Sequence, residues 1–308
     1  MKLPVELQYI QNSLLPVRTT NARMDGKVCV VTGTTSGVGY EAAKRLAAGG
    51  AHLVMVCRNP EKGKRVQSEL QHNYGVETDL ILADFQHLAK VRQAALKIQK
   101  IHPKIDVLIN NIGVFNKRRR LTPDGYEMTF AVIHLASFLF TRLLMPQLKQ
   151  GAPSRVLFIS SEAHRFGGFK LNDLSWHKRI YIGLRSYGAA KIAQLHTARL
   201  LAEQLQPDGV TVNVMHPGAV RSNIGMNNGL LYRLYQRWVL HWFLKDPALS
   251  GEAIYTLAAD PDLESVTGKY FNRTVEENPA WYAVKPELSQ EVWDRSEEFI
   301  KPYLQGAE

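Results

Sequence analysis

Two cysteines, Cys29 and Cys57, are all that the 308 residues contain. So few exclude a disulfide framework. Each sits in an apolar run of strand type and reads as a small buried hydrophobe in a reducing compartment. Long apolar runs are also missing: nowhere do about 20 such residues follow one another. The most apolar helical pattern, Phe130 to Met145, carries His134 and Arg142 and is expected to stop at Pro146. It reads as a buried helix, not a membrane span. Met1 to Arg23 is polar, is broken by Pro4 and Pro16, and has no apolar centre of signal-peptide type. A soluble, cytoplasmic protein is therefore expected. Acidic residues are the minority charge, which leaves a formal net charge of +10. That favours phosphates, polyanions or anionic membrane surfaces as partners, with a plain solvated basic surface as the alternative. No basic-aromatic module points to nucleic acid, and no metal site is expected.

What the chain does have is alternation. Short β-branched runs at Val28–Thr32, Leu53–Cys57, Leu80–Ala83, Val107–Ile109, Val156–Ile159 and Thr211–Met215 are almost wholly apolar, as strands covered on both faces must be. Helical patterns lie between them at Tyr40–Ala48, Glu61–Gln71, Leu88–Ile101, Tyr126–Leu144 and Tyr187–Gln204. This predicts an α/β fold, a doubly wound parallel sheet of Rossmann type in a single domain. Residues 1–24 form an N-terminal extension and 25–305 the domain. After Ser222 the pattern breaks into an aromatic, Arg- and Leu-containing stretch. A helix at Pro247–Ala259, a short strand at Lys269–Phe271 and a last helix at Ser289–Tyr303 follow.

Two features carry chemistry. Gly33-Thr34-Thr35-Ser36-Gly37-Val38-Gly39 follows the first strand and opens the first helix. Glycines there permit positive φ and close backbone approach, and the helix N-terminus offers unpaired N–H groups to a pyrophosphate. The second is Tyr187-Gly188-Ala189-Ala190-Lys191. A helix puts residues i and i+4 on one face. An ammonium beside a phenol lowers a pKa that is ordinarily about 10, which equips the tyrosine for acid/base work. Tyr40 and Lys44 share the spacing, but they lie on the helix behind the glycine loop, facing solvent or the sheet. Ser161, just past the fifth strand, lies where ligands of open α/β sheets bind.

With Thr32-Gly33-x3-Gly37-x-Gly39, Asp84, Asn110-Asn111-Ile112-Gly113, Ser161, Tyr187-x3-Lys191 and Pro217-Gly218 in this order, the chain resembles the short-chain dehydrogenase/reductases over about residues 25–305. The wording Val56-Cys57-Arg58-Asn59-Pro60-Glu61-Lys62-Gly63 and the aromatic stretch are closest to the retinol dehydrogenase-like branch. The resemblance implies that Tyr187 is the acid/base, that Lys191 lowers its pKa and holds the nicotinamide ribose, and that Ser161 holds the substrate oxygen. It implies further that Gly33, Thr35, Ser36, Gly37, Val38 and Gly39 cradle the cofactor's phosphates. Asp84 would contact the adenine, Asn110 would lie along the cofactor, and Pro217, Gly218, Val220 and Ser222 would hold its nicotinamide end. Where NAD sites offer a carboxylate, at the end of the second strand, this chain has Arg58, which suits the 2′-phosphate of NADP better than NAD.

Two positions depart from the family pattern. Ile133 replaces an Asn that helps to hold a water reaching the lysine; Thr129 and Ser137, one turn to either side, and the retained backbone carbonyl are the possible substitutes. His134 reads as a packed histidine. Ile112 replaces an Ala beside the cofactor path, so its neighbours must make room. The expected function is an NADP-dependent oxidoreductase, of carbonyl-reductase or retinol dehydrogenase-like type, acting on a hydrophobic alcohol, aldehyde or ketone. The alternative is an NADP(H)-binding partner or sensor of low turnover. Residues 223–246 would form the substrate lid; an ordinary packed or oligomer-facing helix and a peripheral membrane contact are the other readings of that stretch. Oligomerisation is left open.

Overall fold

The computed structural model describes residues 8–220 and 246–305. Ser222 and all of the expected lid except Asp246 lie outside the described residues. In chain order the elements are α1 (Gln8–Asn12), β1 (Val28–Thr32), α2 (Gly37–Ala48), β2 (His52–Cys57), α3 (Pro60–Tyr74), β3 (Thr78–Leu82), α4 (Leu88–Ile101) and β4 (Val107–Asn110). They continue with α5 (Met128–Gln150), β5 (Ser154–Ile159), α6 (Gly183–Leu205), β6 (Val210–His216), α7 (Ala248–Ala259), β7 (Tyr270–Asn272), β8 (Val275–Glu277) and α8 (Pro286–Leu304).

The strands form one sheet in the order β3-β2-β1-β4-β5-β6-β7-β8, parallel throughout except for the antiparallel β7–β8 pair. Val31 pairs with Met55 on one side and Ile109 on the other, so β1 and β4 are neighbours at the sheet's centre. The winding direction reverses between them, and this opens a crevice at their C-terminal ends. One face is covered by α4, α5, α6 and α8. The other is covered by α2, α3 and α7. Double coverage is why β1, β2, β4 and β5 are apolar nearly residue for residue, with no polar alternation to mark an outer face.

Local chemistry sets the helix ends. At α3, Asn59 is the N-cap and its side chain accepts from Lys62 N at 2.7 Å. Pro60 occupies the first turn, where it lacks no needed N–H, and Gly75 closes the helix at φ +65. The expected stop at Pro146 is corrected: α5 runs on to Gln150 with Pro146 inside it. A helix-interior proline costs about 3 kcal/mol. Fully buried Leu144 and Leu148, at about 1.5–3 kcal/mol each, offset that cost. The same helix contains a π-turn at Ala131–Leu135, in which Ala136 N–H closes onto Ala131 O. Although α5 is long and apolar enough to cross a membrane, 83% of its most apolar window is buried inside the protein. The helix expected to begin at Tyr187 starts at Gly183, so Tyr187 sits in its second turn. Strand β8, only three residues long, has no apolar signature in the sequence.

Candidate active site

The glycine loop runs from the end of β1 into α2. Gly33 and Gly37 adopt φ +80 and +59, which suit glycine. Gly39 is required for space: a Cβ there would lie 2.3 Å from both Asn111 Nδ2 and Gly33 O. Ser36, the exposed N-cap of α2, is extended and makes no capping bond, so the first-turn N–H groups stay open to a ligand. Half-buried Thr35 precedes it; Val38, one residue into the helix, is buried in the core. The Thr34 hydroxyl is buried without a partner beside the loop. An open helix terminus, glycine cradle and orphaned hydroxyl fit a dinucleotide pyrophosphate.

The other predicted residues ring the same edge. Arg58 is exposed at the end of β2, one residue before the α3 cap. Half-buried Asp84 follows β3, and its Oδ1 accepts from Gln86 N at 3.1 Å. Asn110 is buried, donating from Nδ2 to Thr141 Oγ1 at 2.9 Å and leaving Oδ1 unbonded. The neighbouring Asn111 ties β4 to β1: its side chain donates to Thr32 O and its backbone N–H to Thr32 Oγ1, both at 2.9 Å. Past β6, Pro217 O accepts from Ser250 Oγ at 2.7 Å, Gly218 has φ +91, and Val220 is half-buried against the core. Ile112 lies 3.1 Å from where a Gly33 Cβ would be, so the missing Cβ of Gly33 is what makes room for the larger side chain.

Ser161, Tyr187 and Lys191 come together. Ser161 caps the short turn Glu162–Arg165 after β5, and its Oγ accepts from Ala163 N at 3.2 Å. The same hydroxyl acts on the Tyr187 phenol, favouring its ionised form. The expected lowering of the Tyr187 pKa by Lys191 is corrected: burial pushes it up to about 12, and only Ser161 works the other way. At neutral pH Tyr187 is therefore a phenol, ready to give a proton. Lys191 is buried, and burial takes its pKa down to about 7. Its Nζ lies 5.9 Å from the Tyr187 ring centroid and donates to Ile159 O at 2.5 Å. By contrast, the Tyr40 pKa is raised by burial and then by the Glu69 carboxylate that its hydroxyl bonds, and Lys44 pairs with Glu41 at 3.3 Å. The matching spacing there sets the phenol against carboxylates instead of a serine hydroxyl and a buried lysine.

Four groups were not anticipated from the sequence. Gly188 and Gly167 interlock: a Cβ on Gly188 would sit 2.4 Å from Ala163 O and 2.7 Å from Gly167 Cα. This contact sets how closely α6 approaches the Ser161 loop. Glu127 is fully buried and accepts four hydrogen bonds, from Thr129 N, Phe130 N, Tyr181 Oη and Ser186 Oγ, at 2.8–3.1 Å. It pins the start of α6 to the start of α5. Glu162 and Arg165 form an ion pair that extends at 3.1 Å to Glu277 on β8. Gln194 donates from Nε2 to Ile133 O and accepts at Oε1 from Lys191 Nζ, both at 3.3 Å. Only the capping of α5 by Glu127 had a legible signal, an acid just ahead of an apolar helical run. As expected, His134 is packed: it bonds Ser296 Oγ at 2.7 Å, and burial lowers its pKa to about 3.

The arrangement can exchange a proton with a small oxygen-bearing molecule beside a dinucleotide crevice, which is what a hydride-transferring oxidoreductase requires of its protein. A family model described as short chain dehydrogenase matches residues 27–230, and the chain belongs to that family of NAD(P)-dependent oxidoreductases of alcohols and carbonyl compounds. Its relatives place it in the retinol dehydrogenase-like branch. Retinol dehydrogenase 13 of Homo sapiens is 34% identical over 300 residues, covering 95% of this chain and 89% of that one. Retinol dehydrogenase 12 of Mus musculus is 38% identical over 257 residues, covering 83% and 80%. The fold recurs in the crystal structure of a short chain dehydrogenase from Shigella flexneri complexed with NADP, with TM-score 0.67 and 24% identity over 82% of this chain and 99% of that one.

Proposed function

We propose that the protein is an NADP-dependent oxidoreductase of a lipophilic aldehyde, ketone or alcohol, with Tyr187, Ser161 and Lys191 as its catalytic residues. The observation that carries this reading is the Tyr187 phenol, half-buried, acted on by the Ser161 hydroxyl, edge-on 6.1 Å from Phe115, and with the Nζ of a buried lysine 5.9 Å from its ring. Bound nicotinamide would supply the hydride to the carbonyl carbon. Ser161 donates a hydrogen bond to the carbonyl oxygen, and Tyr187 gives that oxygen its phenolic proton, so an alcohol leaves and a phenolate remains. Lys191 in its ammonium form stabilises the phenolate until it is protonated again. The reverse sequence oxidises the alcohol. A phenol with a pKa near 12 favours the reducing direction at neutral pH.

The loop Gly33–Gly39 would hold the pyrophosphate, Asp84 the adenine, Asn110 the middle of the cofactor, and Pro217, Gly218, Val220 and Ser222 its nicotinamide end. Arg58 supports NADP, since it stands where an NAD site would present a carboxylate. The Shigella relative was solved with NADP, and the named relatives are retinol dehydrogenases. The aromatic stretch 223–246 would close over a substrate of that lipophilic kind. Steady-state reduction of all-trans-retinal and a panel of lipophilic ketones, with NADPH and with NADH, tests the reading. NADPH should be preferred, and Arg58→Asp should weaken it by about 10- to 100-fold, the worth of a charge-assisted hydrogen bond. Equal use of NADH would sink the NADP assignment. Tight NADPH binding with no carbonyl reduced would favour the low-turnover binding protein.

A further inference from the structure

Lys191 is buried, and two acceptors receive its ammonium: the Ile159 carbonyl at 2.5 Å and the Gln194 carboxamide oxygen at 3.3 Å. Gln194 lies three residues further along α6, on the same face, and is 1% exposed. Its other end donates to the carbonyl of Ile133, again at 3.3 Å. That carbonyl belongs to the π-turn of α5, where Ala136 N–H bonds Ala131 O and the Ser137 hydroxyl also reaches Ile133 O. The amide orientation follows from its two partners. Turning it over would set an NH2 against an ammonium and an oxygen against a carbonyl, two repulsive contacts inside the protein. A group that accepts at one end and donates at the other is what this gap requires. A carboxamide does this, and so does a water molecule; a hydrocarbon does not.

We propose that Gln194 is a positioning residue for the proton transfer, its carboxamide bridging the Ile133 carbonyl and the Lys191 ammonium so that the charged form of the lysine is favoured and held beside Tyr187. This rests on the reading of Tyr187 and Lys191 given above. A carboxamide does not pass a proton along, so the bridge holds Lys191 without connecting it to solvent through α5.

Tyr187 faces the Ser161 hydroxyl, the Phe115 ring and Lys191; Lys191 faces Ile159 O and Gln194. The nearest histidines on the two helices, His134 and His196, are kept neutral by burial, with pKa values of about 3 and 4. The rise of alcohol oxidation with pH therefore belongs to the Tyr187–Lys191 pair. The experiment measures kcat/KM for all-trans-retinol with NADP+ from pH 6 to 10. Gln194→Leu keeps the bulk and removes the acceptor. Its limb should move to higher pH, so that activity near pH 7 falls about tenfold and the loss narrows as the pH rises toward 10. Gln194→Ala opens room for a water with Lys191 and Ile133 O as partners, and its profile should return toward wild type. A packing role predicts the reverse order: Ala worse than Leu, with losses equal at every pH. That order, or a Leu variant with the wild-type limb, would overturn the proposal. Should the wild-type protein neither reduce a carbonyl nor oxidise an alcohol, the function proposed above fails. Where no alcohol is oxidised, the bridge is decided by crystal structures of wild type and Gln194→Ala. Gln194 between Ile133 O and Lys191 Nζ, replaced by a water in the variant, supports it; a glutamine turned away refutes it.

Discussion

Gly39→Ala puts the glycine cradle to a quantitative test. The added methyl carbon would arrive 2.3 Å from Asn111 Nδ2 and 2.3 Å from Gly33 O, where ordinary contacts begin at 3.4 Å. One of those neighbours is backbone, and the other is the amide that bonds Thr32 O at 2.9 Å and ties β4 to β1. More than an ångström has to be found by moving the loop. Overpacking of this kind costs about 1–3 kcal/mol, and loss of the Asn111 bond adds about 0.5–1.5 kcal/mol. For a domain of this size about 2–4 °C of melting temperature goes with each kcal/mol, so a fall of several degrees is expected. Displaced first-turn N–H groups would also weaken NADPH by about 10- to 100-fold, the loss of one or two hydrogen bonds to phosphate. Differential scanning fluorimetry and NADPH fluorescence titration read the two effects separately. Gly168→Ala serves as the control, because its methyl would meet nothing nearer than 3.7 Å. If Gly39→Ala binds NADPH within about twofold of wild type and melts at the same temperature, the cradle is not where the cofactor's phosphates lie.

The buried lysine predicts a trade between stability and catalysis. Its folded pKa of about 7 lies below the ordinary 10.5, so the unfolded chain binds the extra proton and stability rises with pH between those values. Lys191→Met should therefore abolish turnover and raise the melting temperature most below about pH 7. The gain should shrink toward pH 10; a gain independent of pH would contradict the assigned burial cost. Glu127→Ala strands four donors, and about 3–5 kcal/mol of stability should go with it, read as a lower urea midpoint. Because Ser186, one of those donors, precedes Tyr187, kcat should fall as well; an unchanged midpoint would show that the carboxylate is dispensable.

The strands and most helices were legible because burial on both sheet faces forces apolar runs, and the alternation of strand and helix left one topology to consider. Ser161, Tyr187 and Lys191 were legible as a set because their order along the chain carries the information that spacing alone lacked. Three things were hidden for physical reasons. Helix α5 continues past Pro146 because its last leucines are buried, and tertiary packing overrides local propensity. The Gly167–Gly188 interlock joins residues far apart in sequence, so neither glycine looked special. Gln194 reads as an ordinary polar helix residue until the π-turn turns the Ile133 carbonyl toward it.

That π-turn also constrains how the gene can change. One turn of α5 contains an extra residue, so everything from Ala136 onward is rotated by roughly 100° relative to an unbroken helix. A one-codon deletion within Ala131–Leu135 would give a better-bonded helix by local criteria. It would also swing Phe138, Leu139 and Thr141 off the faces they now bury and away from Asn110. Insertions and deletions in this lineage should therefore be purged from that turn even where point substitutions such as Ile133 are tolerated.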